Sequence, residues 1–148
     1  MSQFHNIFCA SDAPISRRDI AEYAVDGWYG DGEPMFSPDP SDDDDAGWES
    51  MQMRLPGVAK PIIFQHDVDA ATISELVAEA IAERRVTEET AGRLRAGRQI
   101  IGIELFPETF DDDAWELLDQ IQAFIATRLN GILVTTDGVY DNNLQHLD

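Results

Sequence analysis

The chain has 148 residues, of which 43% are hydrophobic and 26% are charged, and its formal net charge at pH 7 is −19. This length and composition are typical of a single globular domain with its own core and argue against a disordered chain. The negative charge disfavours nucleic acid and anionic membranes as partners, because both repel an acidic surface. We therefore expect one domain over residues 1–148, with basic proteins as its favoured partners.

The sequence has one cysteine, Cys9, which excludes an intramolecular disulfide and leaves no cysteine pair for a zinc site. Residues 1–20 have no basic start followed by an apolar run, and no segment approaches the roughly 18–20 apolar residues of a membrane span. These features predict a cytoplasmic protein. Cys9 has no basic neighbour in its apolar segment, which favours a buried, inert thiol.

The N-terminal third predicts a strand, a helix and a long loop. Apolar and aromatic residues over 3–10 predict the strand. Ser16 and Asp19 have the spacing of a capping box, and the helix that they begin ends at Gly27. Residues 29–47 are rich in glycine, proline and aspartate, and we expect them to form an exposed acidic loop.

The remaining elements follow from apolar periodicity, capping residues and turn residues. The alternating segment 48–56 and the segment 59–67 predict an antiparallel hairpin around Pro56-Gly57, with its polar side in solvent. The nearly continuous apolar run over 99–107 predicts a central strand covered on both faces. The other predicted elements are a helix from the cap Asp69 to about Arg85, a shorter helix from the cap Thr87 to Gly97, a long helix over about Asp111–Leu129, and a strand over 131–141 that breaks near Asp137-Gly138.

This order of elements predicts an α+β fold. We expect a single mixed or antiparallel sheet of about five strands, with the helices packed on one face. A ferredoxin-like split βαβ topology is the arrangement to compare first, by analogy.

Four consecutive aspartates, Asp42, Asp43, Asp44 and Asp45, form the most acidic stretch of the predicted loop. The run does not match a calcium-binding EF-hand loop, because Met53 stands where the twelfth-position glutamate belongs. It is either a solvated charge run or a recognition surface for a basic partner. Trp28 and Trp48 flank it, and aromatic residues beside charge are typical of interface hot spots, although they also anchor loops to a core.

A second candidate site contains His66 and Asp67 near the end of a predicted strand, where a ligand or an acid/base pair can be held. Tyr140 and Asp141 at the end of the last strand offer further ligand groups. Asp69, two residues after Asp67, has a simpler explanation as a helix cap. The sequence brings no three histidines together, so we predict no metal site, and no cofactor motif occurs.

Five arginines form a basic group in a chain that is otherwise acidic: Arg84, Arg85, Arg93, Arg95 and Arg98. They are explained by pairing with glutamates and with helix C-termini. The alternative is that they bind an acidic segment of this chain or of a second copy in a homo-oligomer.

Two functions remain open. The first is a non-enzymatic acidic interaction module, such as an inhibitor or immunity-type protein that binds a basic protein. It accounts for the charge and for the lack of a nucleophile motif or phosphate loop. The alternative is a small enzyme or ligand-binding domain that uses His66 with nearby carboxylates.

Overall fold

The computed structural model describes residues 1–40 and 47–147, which form an antiparallel sheet and four α-helices. The strands are β1 (Gln3–Cys9), β2 (Met35–Ser37), β3 (Ser50–Arg54), β4 (Ile62–Asp67), β5 (Gln99–Leu105), β6 (Gly131–Val134), β7 (Val139–Tyr140) and β8 (His146–Leu147). The helices are α1 (Arg17–Gly27), α2 (Ala70–Arg84), α3 (Glu88–Arg95) and α4 (Asp112–Leu129). The α+β class is confirmed.

The strands are arranged in the order β2-β3-β4-β5-β1-β6-β7-β8. β1 pairs with β5 and β6, so that Ile7 lies between Ile101 and Leu133. β5 lies between β4 and β1, which confirms its predicted central position. The β3–β4 hairpin is also confirmed, and alternate residues of β3 are buried and exposed as expected.

The prediction of about five strands is wrong, because the described residues form an eight-stranded sheet. β2 lies inside the segment that we expected to be a loop, and β8 follows the last predicted strand. The predicted strand over 131–141 is divided into β6 and β7 by a turn at Thr135–Gly138, where the Thr135 N–H donates to the Gly138 carbonyl. The three additional strands have only two or three residues each, too few to show an alternating pattern.

The prediction that the helices pack on one face of the sheet is also wrong. Ile7 and Cys9 of β1 belong to one core cluster, together with buried residues of α1 and α4. Phe8, which points to the opposite side of the same strand, belongs to a second cluster with residues of α2 and α3. The central strands are apolar on both sides, and helices cover both. The ferredoxin-like topology is not confirmed.

The helix boundaries follow local signals that the sequence carries. Ser16 accepts a hydrogen bond from the Asp19 N–H at 3.1 Å, and Asp19 accepts one from the Ser16 N–H at 2.9 Å, which completes the predicted capping box. The predicted caps Asp69 and Thr87 each accept a backbone hydrogen bond at the start of α2 and α3, and Asp111, the first residue of the predicted long helix, does so at the start of α4.

Cys9 is buried in the first core cluster. Loss of hydration raises the pKa of its thiol to about 12, so the reactive thiolate form is rare at neutral pH. None of the helices in the described residues has the length and apolar content that crossing a membrane requires.

Candidate functional site

The predicted partner-binding residues Asp42, Asp43, Asp44 and Asp45 lie outside the described residues. The two flanking tryptophans are described and differ in their surroundings. Trp48 is 3% exposed, and its indole N–H donates to the Ile15 carbonyl at 2.9 Å. Trp28 is half-buried, and its indole N–H points to the Asp31 carbonyl at 3.4 Å. Trp48 therefore anchors the chain beside the segment, whereas Trp28 keeps part of its ring at the surface.

His66 is held in a hydrogen-bond network that connects three parts of the chain. Its Nδ1 lies 3.2 Å from the Trp48 carbonyl, and its Nε2 lies 2.8 Å from Gln99 Oε1. The Gln99 amide is fixed because its NH₂ group donates to the carbonyls of Ser11 and Ala13. The imidazole also stacks on the Trp48 indole, with ring centroids 4.9 Å apart. A neutral imidazole has one N–H, and the shorter contact assigns the donation to Nε2 and Gln99 Oε1. A ring that is buried, stacked and hydrogen-bonded in this way is in the environment of a structural histidine.

The carboxylates near His66 are not arranged around its ring. A surface depression contains His66, Asp67 and Asp69, but no carboxylate of the described residues is hydrogen-bonded to the imidazole. Asp67 follows His66 in β4, and successive residues of a strand point to opposite faces. Asp69 caps α2, and hydrogen bonds from Thr72 lower the pKa of its carboxyl.

The structure also separates His66 from Tyr140 and Asp141, the other members of the predicted ligand site. β4 and β7 are separated in the sheet by β5, β1 and β6. Asp141 Oδ1 accepts hydrogen bonds from the backbone N–H groups of Asn143 and Gln145, each at 2.9 Å, and thereby shapes the turn between β7 and β8. The ligand-site hypothesis at His66 stays a prediction, without a constellation that joins these four residues.

The five arginines do not form one basic patch. Arg84 lies in the last turn of α2 and donates to the Thr136 carbonyl at 2.9 Å. Arg95 and Arg98 line a groove beside the opposite end of α2, which at 15 residues is about 22 Å long. Arg95 also pairs with Glu88 at 3.7 Å, and both side chains are exposed. Oligomerisation through the arginines therefore stays a prediction. The positive charges lie at the two ends of α2 and do not form one surface.

A cavity of about 250 Å³ lies between α4 and the β1, β6 and β7 strands, and we call it the His5 cavity. Among its lining residues are His5, Trp115, Asp119, Gln122, Thr135, Asp137 and Tyr140. Tyr140 was predicted as a ligand group, but nothing in the sequence connected it with His5, which precedes it by 135 positions. The sequence did contain evidence that His5 is buried, because the alternation of side chains along β1 places it on the same core-facing side as Ile7 and Cys9.

His5 is 7% exposed, and one of its ring nitrogens is available to the cavity. Its Nδ1 lies 2.7 Å from Oε1 of the buried Gln122, so Nδ1–H donates and Nε2 carries a lone pair. Nε2 has no hydrogen-bond partner in the described residues, and none of their buried side-chain nitrogens or oxygens lacks one. Nε2 is therefore reached by solvent, through the cavity that His5 lines.

Burial and charge act in opposite directions on His5. Loss of hydration lowers the pKa of the imidazole, and the hydrogen bond to Gln122 and the carboxylates of Asp137 and Asp119 only partly oppose this effect. The ring is consequently neutral at neutral pH. Partial loss of hydration raises the pKa of the Asp119 carboxyl, although the residue is exposed overall.

The N-terminal half of α4 carries a group of exposed carboxylates. Asp112, Asp113, Glu116 and Asp119 are all exposed, and no arginine or lysine in residues 1–40 and 47–147 forms an ion pair with them. We call these four residues the α4 acidic surface. The half-buried Trp115 lies within it and borders the His5 cavity.

The described residues contain no group of three or more histidine, cysteine, aspartate or glutamate side chains arranged to hold a metal ion. Comparisons with protein-family models, with curated proteins and with solved structures find no match, and the proposal for function therefore rests on the surface and the cavity described above.

Proposed function

We propose that this protein is a non-enzymatic interaction module that binds a basic protein through an acidic surface, in the manner of an inhibitor or immunity-type protein. The observation that carries the proposal is the α4 acidic surface, a row of exposed carboxylates without basic partners among the described residues. A basic partner supplies the missing counter-charges and is attracted to such a surface at long range.

The placement of these carboxylates favours a functional role over a purely structural one. Asp112 and Asp113 lie in the first turn of α4, where negative charge stabilises the helix. Glu116 and Asp119 lie beyond that turn, at i+4 and i+7 from Asp112, where like charges on one helix face repel each other. That repulsion is relieved when a cationic surface binds.

The helices on the two faces of the sheet differ in charge, and this difference indicates which face a basic partner contacts. α4 and its cap Asp111 contribute five carboxylates, and the only arginine of the helix, Arg128, lies in its last turn. On the opposite face, α2, its cap Asp69 and α3 contribute six carboxylates and three arginines, and Arg85 follows at the end of α2. The net charge of α2 and α3 is therefore less negative than that of α4, so a basic partner is attracted more strongly to the face that carries α1 and α4.

The predicted contribution of Asp42 to Asp45 remains part of this proposal. The described residues on either side of the segment lie on the α1 and α4 face: Pro40 borders a groove with α1, and Trp48 packs in the first core cluster. The half-buried Trp28 packs against the same cluster and provides an aromatic surface nearby.

The test is affinity capture from a lysate of the source cells, with identification of the retained protein and a direct binding measurement on the purified pair. The α4 variant Asp112→Asn/Asp113→Asn/Glu116→Gln is compared with Glu75→Gln/Glu79→Gln/Glu83→Gln on α2, which removes the same charge from the opposite face. A third variant replaces Asp42 to Asp45 with asparagine.

We expect one basic partner whose affinity falls with salt, because charge interactions are screened beyond about 8 Å at physiological ionic strength. The α4 variant and the Asp42 to Asp45 variant should bind it more weakly, and the α2 variant should bind it as the original protein does. Binding that is independent of salt, or equally weakened by the α2 variant, would contradict the proposal.

A further inference from the structure

The His5 cavity combines hydrogen-bond acceptors, negative charge and aromatic surface in one concave site. Nε2 of His5 offers a lone pair, Asp119 and Asp137 offer carboxylates, and Trp115 and Tyr140 offer ring surface. No arginine or lysine of the described residues lines the cavity. Together these groups favour a ligand that is cationic, flat and rich in N–H donors.

His5 distinguishes this site from an ordinary cluster of surface acids. The His5 side chain is more than nine-tenths buried, yet its Nε2 has no partner among the described residues and is reached by solvent through the cavity, so this nitrogen can accept a hydrogen bond from a ligand. Because burial lowers the pKa of the imidazole, the ring does not present a positive charge that would repel a cation. Gln122 fixes the ring through Nδ1, so the acceptor is held in place before a ligand binds.

Other ligand classes fit this lining less well. Anions are disfavoured by Asp119 and Asp137, and a metal ion lacks a sufficient group of ligands among the described residues. An ammonium group is a compact point charge with three donors, whereas a guanidinium has five donors in one plane and also stacks on aromatic rings. Acceptors from three different residues and two ring surfaces therefore favour the guanidinium.

We propose that the His5 cavity is the pocket that receives an arginine side chain of the basic partner. The guanidinium donates to Asp119, Asp137 and Nε2 of His5, and it packs against Trp115, while the α4 acidic surface contacts the surrounding positive charge. This inference rests on the proposed function and adds a central anchor to it. Buried arginine anchors of this kind frequently dominate the energy of an interface.

The pocket is tested first without any partner, by titrating the isotope-labelled protein with Nα-acetyl-arginine amide and following its NMR spectrum. Nα-acetyl-citrulline amide is the matched control probe, because it has nearly the same shape without the charge. We expect saturable shifts at His5, Thr135 and Tyr140 with the arginine probe only. The variants Asp119→Asn and Asp137→Asn should each weaken binding about tenfold, as expected for loss of one charged partner.

Glu75→Gln serves as the control variant, since Glu75 is exposed on α2, on the opposite face of the sheet, and does not line the cavity. It should bind the probe within about twofold of the original protein. Equal shifts with citrulline, equal weakening by Glu75→Gln, or no saturable shift would overturn the inference. The spectrum of each variant shows directly whether it is folded.

The same variants separate this inference from the proposed function. If a basic partner is captured through the α4 acidic surface and Asp119→Asn/Asp137→Asn does not weaken that complex, the interaction proposal stands and the arginine pocket is wrong. If the arginine probe binds the cavity but no basic partner is retained, the pocket chemistry is supported and its assignment to a protein partner is wrong.

Discussion

Replacing His66 with alanine tests whether this histidine is structural. The ring lies 3.2 Å from the Trp48 carbonyl and 2.8 Å from Gln99 Oε1. A neutral imidazole has one N–H, and the shorter contact assigns it to Nε2, so alanine leaves Gln99 Oε1 without its donor. Each unsatisfied buried acceptor costs about 1–3 kcal/mol. Gln99 cannot turn to find another donor, because its NH₂ group is held by two backbone carbonyls. We expect the free energy of unfolding to fall by about 1–3 kcal/mol.

The measurement is urea denaturation followed by tryptophan fluorescence, with the free energy obtained by linear extrapolation. Gln65→Ala is the matched control, since Gln65 precedes His66 on β4 but is exposed on the opposite side. It should change stability by no more than about 0.5 kcal/mol. A loss of less than about 0.5 kcal/mol in His66→Ala, together with loss of a ligand-dependent activity, would refute the structural interpretation and restore the catalytic one.

Three further predictions concern the cap, the core and the cavity. Ser16→Ala removes a capping-box partner of α1 and should cost about 1 kcal/mol in urea denaturation, whereas Ser74→Ala, exposed within α2, should be nearly neutral. Phe64→Ala empties a fully buried site and should cost about 3–5 kcal/mol; a loss below about 1 kcal/mol would contradict the core assignment. Because the folded-state pKa of His5 is lowered from 6.5, the unfolded state binds its proton more readily, and stability should decline as pH falls below about 6.5. His5→Gln should flatten that decline in stability measured at several pH values, and an unchanged pH profile would contradict it.

The helices could be predicted well from the sequence because their signals are local. A capping residue acts on backbone groups two or three positions away, and the N-caps Ser16, Asp69 and Thr87 are found at the predicted positions. The long strands β1 and β5 were also clear from their apolar content. β8 could not be predicted, since its two residues form a strand only because β7 is beside them.

The presence of helices on both faces of the sheet was harder to predict, although the sequence partly indicated it. Phe8, Ile100 and Ile132 occupy the second side of three strands, and this apolar side required a cover. The His5 cavity was missed for a different reason. Its residues come from β1, α4 and the β6–β7 turn, and only the pairing of β1 with β6 brings them together. A single sequence shows which side of a strand is buried, but it does not show which distant strand lies beside it.

The central position of β1 has a consequence for synthesis on the ribosome. β1 pairs with β5 and β6, and both are made about a hundred residues or more after it. At a translation rate of about 5–20 residues per second, its apolar side chains remain without their native neighbours for several seconds or more. During that interval the apolar side chains of β1 lack their partner strands, and they offer chaperones an exposed apolar segment.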